Sequence, residues 1–232
     1  MLFEIIHATF RRVSPDERRN AILQCAARLF SHYGQSKTTV ADIAREAQVG
    51  IGTVYLVFSS KEAIVEELSS SAHERVLAAM KEVAEARGGD SFSERLAGVL
   101  ETRVAMFQKL NQEGQHACEL VHCKNGPVKS VHAKFQADER ALLQQILEQA
   151  AVMGELSASD TKRAAGLVQR AYATLSPPWL FDQPAEEARR AAYEMCRLLL
   201  LGLAIRGAPS GPAAADARVT PVKGTKKSAR AR

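Results

Sequence analysis

The segment Gly50–Ile64, GIGTVYLVFSSKEAI, has two glycines one residue apart, followed by a threonine and an apolar run. This spacing could open a phosphate-binding loop, in which backbone N–H groups beside the glycines bind an anion. However, the segment lacks the third glycine of the dinucleotide-binding motif and the lysine of the Walker motif. A helical pattern also precedes it, where both motifs require a strand. We therefore prefer the alternative, the turn and second helix of a DNA-reading helix-turn-helix.

A second candidate for chemistry is the segment 116–123, HACELVHC. Cys118 and His122 are four residues apart, which is metal-ligand spacing on one helix face, and His132 could approach from the next helix. The cysteines could also sense redox state, or simply pack as small apolar side chains. This leaves a thiol- or metal-responsive regulator acting through Cys118, His122 and Cys123 as an alternative. We expect no metal, no cofactor and no catalytic residue, because no nucleophile, base and orienting group stand in a recognisable arrangement.

Apolar residues recur at helical spacing along nearly the whole chain, and no alternating strand pattern is evident. The sequence therefore predicts an all-α protein. Ser14, Thr39 and either Ser59 or Ser60 are expected to cap helices of the amino-terminal region. The predicted helices are 15–33, 40–47, 51–58, 61–87, 92–111, 116–122, 128–153, 160–175 and 185–205, with the clearest boundary at the GGDS segment, 88–91.

Within the helix-turn-helix, the pattern separates an inward face from an outward one. Val49, Val54 and Phe58 should pack against the preceding helices. That packing leaves the side of the second helix formed by Ile51, Gly52, Thr53, Tyr55 and Leu56 pointing outward. We expect Gly50 to give the turn its conformational freedom and Gly52 to let the backbone come close to DNA.

Residues 26–64, AARLFSHYGQSKTTVADIAREAQVGIGTVYLVFSSKEAI, resemble the DNA-binding domain of the tetracycline-repressor (TetR) family, and the resemblance extends over residues 15 to about 68. It implies a cytoplasmic homodimeric transcriptional regulator, typically a repressor, that binds a palindromic operator in double-stranded DNA and responds to a small-molecule effector. It further implies a three-helix DNA-binding domain followed by a helical ligand-binding and dimerisation domain. The expected division is an extension (1–14), the DNA-binding domain (15–75), the second domain (76–206) and a basic tail (207–232).

By the same resemblance, the residues expected to hold DNA phosphates are Thr38, Thr39, Tyr55 and Lys61. Gly50, Ile51 and Val57 depart from the residues common in the family, and they leave the outward face unusually apolar. We therefore expect Ile51, Thr53 and Leu56 to read thymine methyl groups. Polar contacts at the edges are expected from Lys37, Arg45 and Gln48.

The second domain should contain an apolar, partly aromatic ligand pocket, although residues of these types are more often plain core than ligand contacts. The candidates are Phe92, Met106, Phe107, His116, Cys118, His122, Phe135, Tyr172, Trp179 and Phe181. The last helix is apolar nearly all round, so a second protomer is expected to cover part of it. The expected dimer residues are Leu198, Leu199, Leu200, Leu201, Leu203 and Ile205.

The net charge of +5 is concentrated in the final segment, since residues 218–232 carry six basic residues and no acidic one. Residues 1–62 carry eight basic and six acidic residues, so overall basicity says little about DNA binding. We expect residues 207–232 to be disordered and to add, at most, salt-sensitive affinity for DNA. The sequence has no recognisable secretion signal or membrane span, which favours the cytoplasm and reduced cysteines.

Overall fold

A computed structural model of the protein describes residues 14–86, 91–121, 126–156 and 160–204; side chains of residues 203 and 204 are not described. This part of the chain contains eight α-helices and no β-strand. In chain order the helices are α1 (Pro15–Tyr33), α2 (Val40–Glu46), α3 (Ile51–Val57), α4 (Lys61–Ala86), α5 (Phe92–Gln112), α6 (Gly126–Val152), α7 (Thr161–Ala171) and α8 (Ala185–Ala204). The all-α prediction is confirmed.

The helix starts follow from local sequence. Ser14, Thr39 and Ser91 each form a capping box. The hydroxyl of the capping residue accepts a hydrogen bond from the backbone N–H three residues later, and the acidic side chain at that later position accepts one from the backbone N–H of the capping residue. Ser60, not Ser59, caps α4, because its hydroxyl accepts a hydrogen bond of 3.2 Å from the backbone N–H of Ala63. These contacts satisfy N–H groups that a helix start leaves unpaired.

The buried apolar residues form two clusters that share α4. Ile64 and Val65, near the start of α4, pack with the buried residues of α1, α2 and α3. Val76 and Met80, further along the same helix, pack with α5, α6 and α8. The expected domain boundary between residues 75 and 76 therefore falls inside one continuous helix, and the division remains a prediction.

Two expected helices are shorter or tighter than their patterns indicate. The segment Ala117–Leu120 is a single 3₁₀ turn, so Cys118 lies on a 3₁₀ turn and not on the expected α-helix. The helix expected over residues 160–175 ends at Ala171 and continues as a 3₁₀ turn, Tyr172–Leu175. A further 3₁₀ turn, Trp179–Asp182, follows the two prolines.

The core of the carboxy-terminal helices contains a buried ion pair that the sequence pattern did not indicate. Arg103 of α5 and Glu139 of α6 are 4% and 2% exposed, and Arg103 Nε donates to Glu139 Oε1. The remaining nitrogens of Arg103 donate to the carbonyl oxygen of Leu175 at 2.9 Å and to Ser176 Oγ at 2.8 Å. Gln169 Nε2 of α7 donates to Glu139 Oε2 at 2.6 Å. This network therefore ties α5, α6, α7 and the 3₁₀ turn after α7 together.

His73 is a buried neutral base on α4. Its Nδ1 donates to the Ser69 carbonyl oxygen at 2.9 Å, and its ring meets those of His132, Phe107 and Phe135. The pKa of His73 is lowered to about 4, mainly by burial and to a smaller extent by His132 and Arg103, while the hydrogen bond to Ser69 and the charge of Glu139 oppose this change. The folded protein therefore resists protonation at this ring.

We expect this histidine to make folding stability depend on pH. Its pKa is about 6.5 in the unfolded chain and lower in the folded protein, so the unfolded state takes up the proton first. Stability should be complete above about pH 6.5 and fall as the pH drops towards 4, by on the order of 3 kcal/mol. Urea unfolding of the wild type and of His73→Leu across this range measures it. The prediction is wrong if the two pH profiles run parallel.

Candidate DNA-binding surface and its connection to the second domain

Helix α3 is held by its inward side and exposes the rest. Val54 and Phe58 are 1% and 3% exposed and pack in the cluster with α1 and α2, and the guanidinium of Arg19 lies 4.6 Å from the centre of the Phe58 ring. On the opposite side Tyr55 is 53% exposed and Leu56 is 88% exposed. The expected division into an inward and an outward face therefore agrees with the structure.

The turn before α3 differs from the expectation in one residue. Gln48, not Gly50, adopts the left-handed conformation, with φ of 54°. Gly50 has φ of −68°, which any residue adopts, so the expectation that its freedom shapes the turn is wrong. A Cβ at Gly50 would lie 3.7 Å from Thr53 Oγ1, an ordinary contact, and α3 has no side-chain cap. Nothing inside the protein therefore requires glycine at position 50.

Gly52 lies on the exposed side of α3, where an added Cβ would meet no atom within 4 Å. A glycine inside a helix is less favourable than alanine by about 0.5–1 kcal/mol. Its presence is thus unexplained by packing within the protein. It is consistent with the expected close approach of the α3 backbone to another molecule.

Besides Thr39, which caps α2, two more of the expected phosphate-binding residues have structural roles. Thr38 is 2% exposed and its hydroxyl donates to the Gly34 carbonyl oxygen at 2.9 Å, so its side chain is not available to DNA and the expectation is corrected. Lys61 Nζ donates to the carbonyl oxygens of Gln35 and Thr38, at 2.9 and 3.1 Å. The ammonium group of Lys61 therefore positions the loop between α1 and α2, with one of its three N–H groups left for a phosphate.

The remaining polar residues of the surface are exposed around α2. The hydroxyl of Thr39 donates to Asp42 at 2.6 Å, and these Thr39 hydrogen bonds hold the pKa of Asp42 below its usual range. Arg45 donates to the same carboxylate at 2.6 Å, and Lys37 is exposed. The surface thus combines an apolar ridge on α3 with cationic groups at its edge. Whether each of these residues contacts DNA stays a prediction.

Most of the residues expected to line the ligand pocket are packed in the core, and their contact with a ligand stays a prediction. Phe92, Phe107, Phe135 and Tyr172 are buried in the core, Met106 and Phe181 pack against it, and Trp179 is 62% exposed. The Tyr172 hydroxyl donates to the Ala192 carbonyl oxygen at 2.5 Å, and burial raises the pKa of Tyr172. Among the expected pocket residues that are described, none lines the cavity between α4, the start of α5 and α6. Aromatic side chains alone do not distinguish a pocket wall from a core.

That cavity has a volume of about 890 Å³ and lies between α4, the start of α5 and α6. Its walls combine apolar and charged side chains, and the sequence pattern did not single them out. They are Lys81, Ala84, Glu85, Arg95, Asp138, Ala141, Leu142, Gln145, Ile146, Gln149 and Met153. Its size lies within the range of small-molecule sites.

His116 lies beside the end of α1, and neither His116 nor Cys118 lines this cavity. The backbone N–H of His116 donates to the Ser31 carbonyl oxygen at 2.9 Å, and Glu119 Oε2 accepts from the backbone N–H of Gln35 at 3.0 Å. A Cβ at Gly114 would lie only 2.6 Å from that of Ser31, so this approach requires glycine. The segment 114–120 is therefore a direct contact between the carboxy-terminal helices and the end of α1.

Two of the described cysteines, Cys118 and Cys196, have raised pKa values. Burial raises the pKa of Cys118, and it raises that of Cys196 to about 11, which disfavours the thiolate. No group of three or more potential metal ligands occurs among the described side chains. His122 and Cys123 lie outside the described residues.

The expected dimer residues are only partly exposed. Leu198 and Leu201 of α8 are 67% and 63% exposed, whereas Leu199 and Leu200 pack partly against the core. The side chain of Leu203 is not described, and Ile205 lies outside the described residues, as do the extension and the basic tail. Helix α8 therefore carries one packed side and one open apolar side.

Three short helices with a shared core, a tight turn and an exposed third helix define a helix-turn-helix DNA-binding domain. Residues 22–68 match the family model described as bacterial regulatory proteins, tetR family. This part of the chain is therefore similar to the DNA-binding domain of the TetR family, whose members are DNA-binding transcriptional regulators.

Curated relatives agree with this assignment. The transcriptional regulator AcrR of Shigella flexneri is 27% identical over 190 residues, which cover 79% of this chain and 88% of AcrR. The transcriptional repressor KstR2 of Mycolicibacterium smegmatis is 46% identical over 54 residues, covering 23% of this chain and 26% of KstR2. The likeness is thus strongest over a short part of the chain.

Solved structures show the same fold over most of the chain. A TetR-family regulator from Mesorhizobium loti has a TM-score of 0.66 at 18% identity, covering 81% of this chain and 97% of its own. The regulator FadR of Bacillus subtilis, solved with stearoyl-CoA, has a TM-score of 0.63 at 19% identity, covering 79% and 98%. No described helix is both long and apolar enough to cross a membrane.

Proposed function

We propose that this protein is a homodimeric repressor that binds a palindromic operator and releases it when a small ligand occupies the carboxy-terminal helices. The observation that carries the proposal is the exposed face of α3. Leu56 is 88% exposed, and exposing such a large apolar side chain to water is unfavourable. No contact within the protein requires glycine at position 52. Contact with DNA explains both residues.

The readout proposed for this face is largely apolar. Ile51 and Leu56 are exposed and lack hydrogen-bonding side chains, and α3 contains no Arg, Asn or Gln. Such a face suits the methyl group that thymine presents in the major groove. Lys37, Arg45 and the remaining N–H of Lys61 would hold phosphates, which fix register but carry no sequence information.

The open side of α8 supports the homodimer. Leu198 and Leu201 present apolar side chains to solvent, and a twofold interface would bury the same residues from both protomers. Two α3 helices related by such an axis require an operator with two inverted half-sites. The proposed dimer therefore implies the proposed palindromic operator.

Ligand release requires a physical connection between the cavity and α3. Helix α4 provides one, because it packs with α1 to α3 at its start and lines the cavity with Lys81, Ala84 and Glu85 near its end. The contact of Glu119 with Gln35 provides a second. A ligand that binds one arrangement of these helices better than the other would shift DNA affinity. FadR, which holds stearoyl-CoA, supports ligand binding by this fold.

Selection of duplexes from a random DNA library by the purified protein tests the proposal, followed by a salt titration on the selected sequence. We expect one enriched palindrome that retains preference over random DNA as salt rises. Removal of residues 207–232 should leave this preference intact. Enrichment of no sequence, with affinity that simply falls with salt, would show a non-specific DNA-binding protein instead.

A further inference from the structure

Arg95 is a buried cation without a partner. It lies in the first turn of α5, lines the 890 Å³ cavity and is only 4% exposed. Its Nε donates to no acceptor, and none of the carboxylates in the described part of the chain forms an ion pair with its guanidinium. Arg103 differs from Arg95, because its nitrogens donate hydrogen bonds to three neighbours.

This position is unfavourable for an arginine in the ligand-free protein. A buried charge without a partner loses its hydration and gains no compensating ion pair. The start of a helix also carries a partial positive charge, which repels a cation in the first turn. Since no carboxylate of the described residues neutralises Arg95, a ligand that does so is the physical explanation for its place in the cavity.

The rest of the cavity is suited to an apolar group. Leu142 and Ile146 of α6 form buried parts of its wall, and Met153 is exposed at its edge. Of its two acids, Asp138 is 3.4 Å from the ammonium of Lys134, and Glu85 is on the exposed side of α4. The cavity therefore joins an apolar wall to one buried, unneutralised cation.

We propose that this cavity binds an amphipathic organic anion, with its carboxylate or phosphate head on Arg95 and its apolar chain on Leu142, Ile146 and Met153. This inference rests on the proposed function, because it specifies the chemical class of the effector. A guanidinium suits either head group, since its planar N–H groups can donate two parallel hydrogen bonds to two oxygens. The low exposure of Arg95 makes such bonds stronger than at the surface.

Calorimetric titration of the full-length protein without DNA tests the site. The probes are decanoate, decyl phosphate and the uncharged decanol, each below the concentration at which it forms micelles. We expect the better of the two anions to bind about tenfold or more tightly than decanol, and their ranking identifies the head group. Arg95→Met should abolish the preference for the anion and retain decanol binding. Lys81→Met, which removes an exposed cation of the same cavity, should retain the preference.

Thermal unfolding tests separately whether Arg95 is unpaired in the ligand-free protein. If Arg95 is unpaired, Arg95→Met should raise the unfolding midpoint of the ligand-free protein, and the preferred anion should raise that of the wild type only. Equal binding of anions and decanol, an unchanged preference in Arg95→Met, or a lower midpoint in that variant would each overturn the proposal. Binding of the anion without release of the selected operator would instead leave this site intact and contradict the ligand-release part of the proposed function.

Discussion

Arg103→Met should lower the free energy of unfolding by about 3–5 kcal/mol, because it leaves the Glu139 carboxylate buried without its cationic partner. Methionine fills most of the arginine volume, so lost packing is a small part of the effect. The variant also removes the hydrogen bonds to Leu175 and Ser176, which hold the turn after α7. Urea unfolding at a fixed protein concentration measures the change, since stability of a dimer depends on concentration.

The double variant Arg103→Met with Glu139→Leu separates the ion pair from its surroundings. Removing both charges should restore most of the lost stability, since two apolar side chains replace a pair that was costly to bury. Arg190→Met is the matched control, because Arg190 pairs with Glu194 on the exposed surface of α8, where little change is expected. A single variant as stable as the wild type, or a double variant no better than the single, contradicts this view of the network.

Gly52→Ala should raise folding stability and weaken DNA binding. The added methyl group meets no atom of the protein, and alanine favours a helix over glycine by about 0.5–1 kcal/mol. If the α3 backbone lies against DNA, the same methyl group overlaps with it and should reduce operator affinity by about tenfold or more. Thermal unfolding and a binding titration on the selected operator measure the two effects on one protein sample.

Gly166→Ala is the control for this pair of effects. Gly166 lies inside α7, and an added Cβ there also meets no atom within 4 Å. It should therefore stabilise the protein in the same way without changing operator affinity. If Gly52→Ala stabilises the protein and binds the operator as the wild type does, the α3 backbone does not approach DNA closely.

Local sequence was sufficient to predict what neighbouring residues determine. The bounds of α1, its Ser14 cap and the inward placement of Val54 and Phe58 depend on spacing and capping within a few positions. The resemblance over residues 26–64 agrees with the family model that matches residues 22–68. The structure agrees with these expectations because helix starts and helix faces are local properties.

Residues whose roles depend on distant contacts could not be placed from the pattern. Thr38 is adjacent to the Thr39 cap, and only the fold shows that its hydroxyl turns inward to Gly34. Arg103 and Arg95 lie on the same helix with similar exposure, yet one has a partner in Glu139 and the other has none. Which helix packs opposite each position decides its chemistry, and a single sequence does not contain that information in readable form.

The central claim is that the apolar side of α3 reads thymine methyl groups, and replacement of thymine by uracil in the selected operator tests it most directly. Uracil keeps the base pair and removes only the methyl group. At symmetric thymines in both half-sites we expect each replacement to weaken binding by about fourfold, the effect of one buried methyl group of about 0.8 kcal/mol. The effect should disappear in Leu56→Ala or in an Ile51→Ala variant. Two results together would contradict readout of thymine methyl groups by α3. Replacement by uracil would have no effect at any position, and the central guanines of the operator would be indispensable.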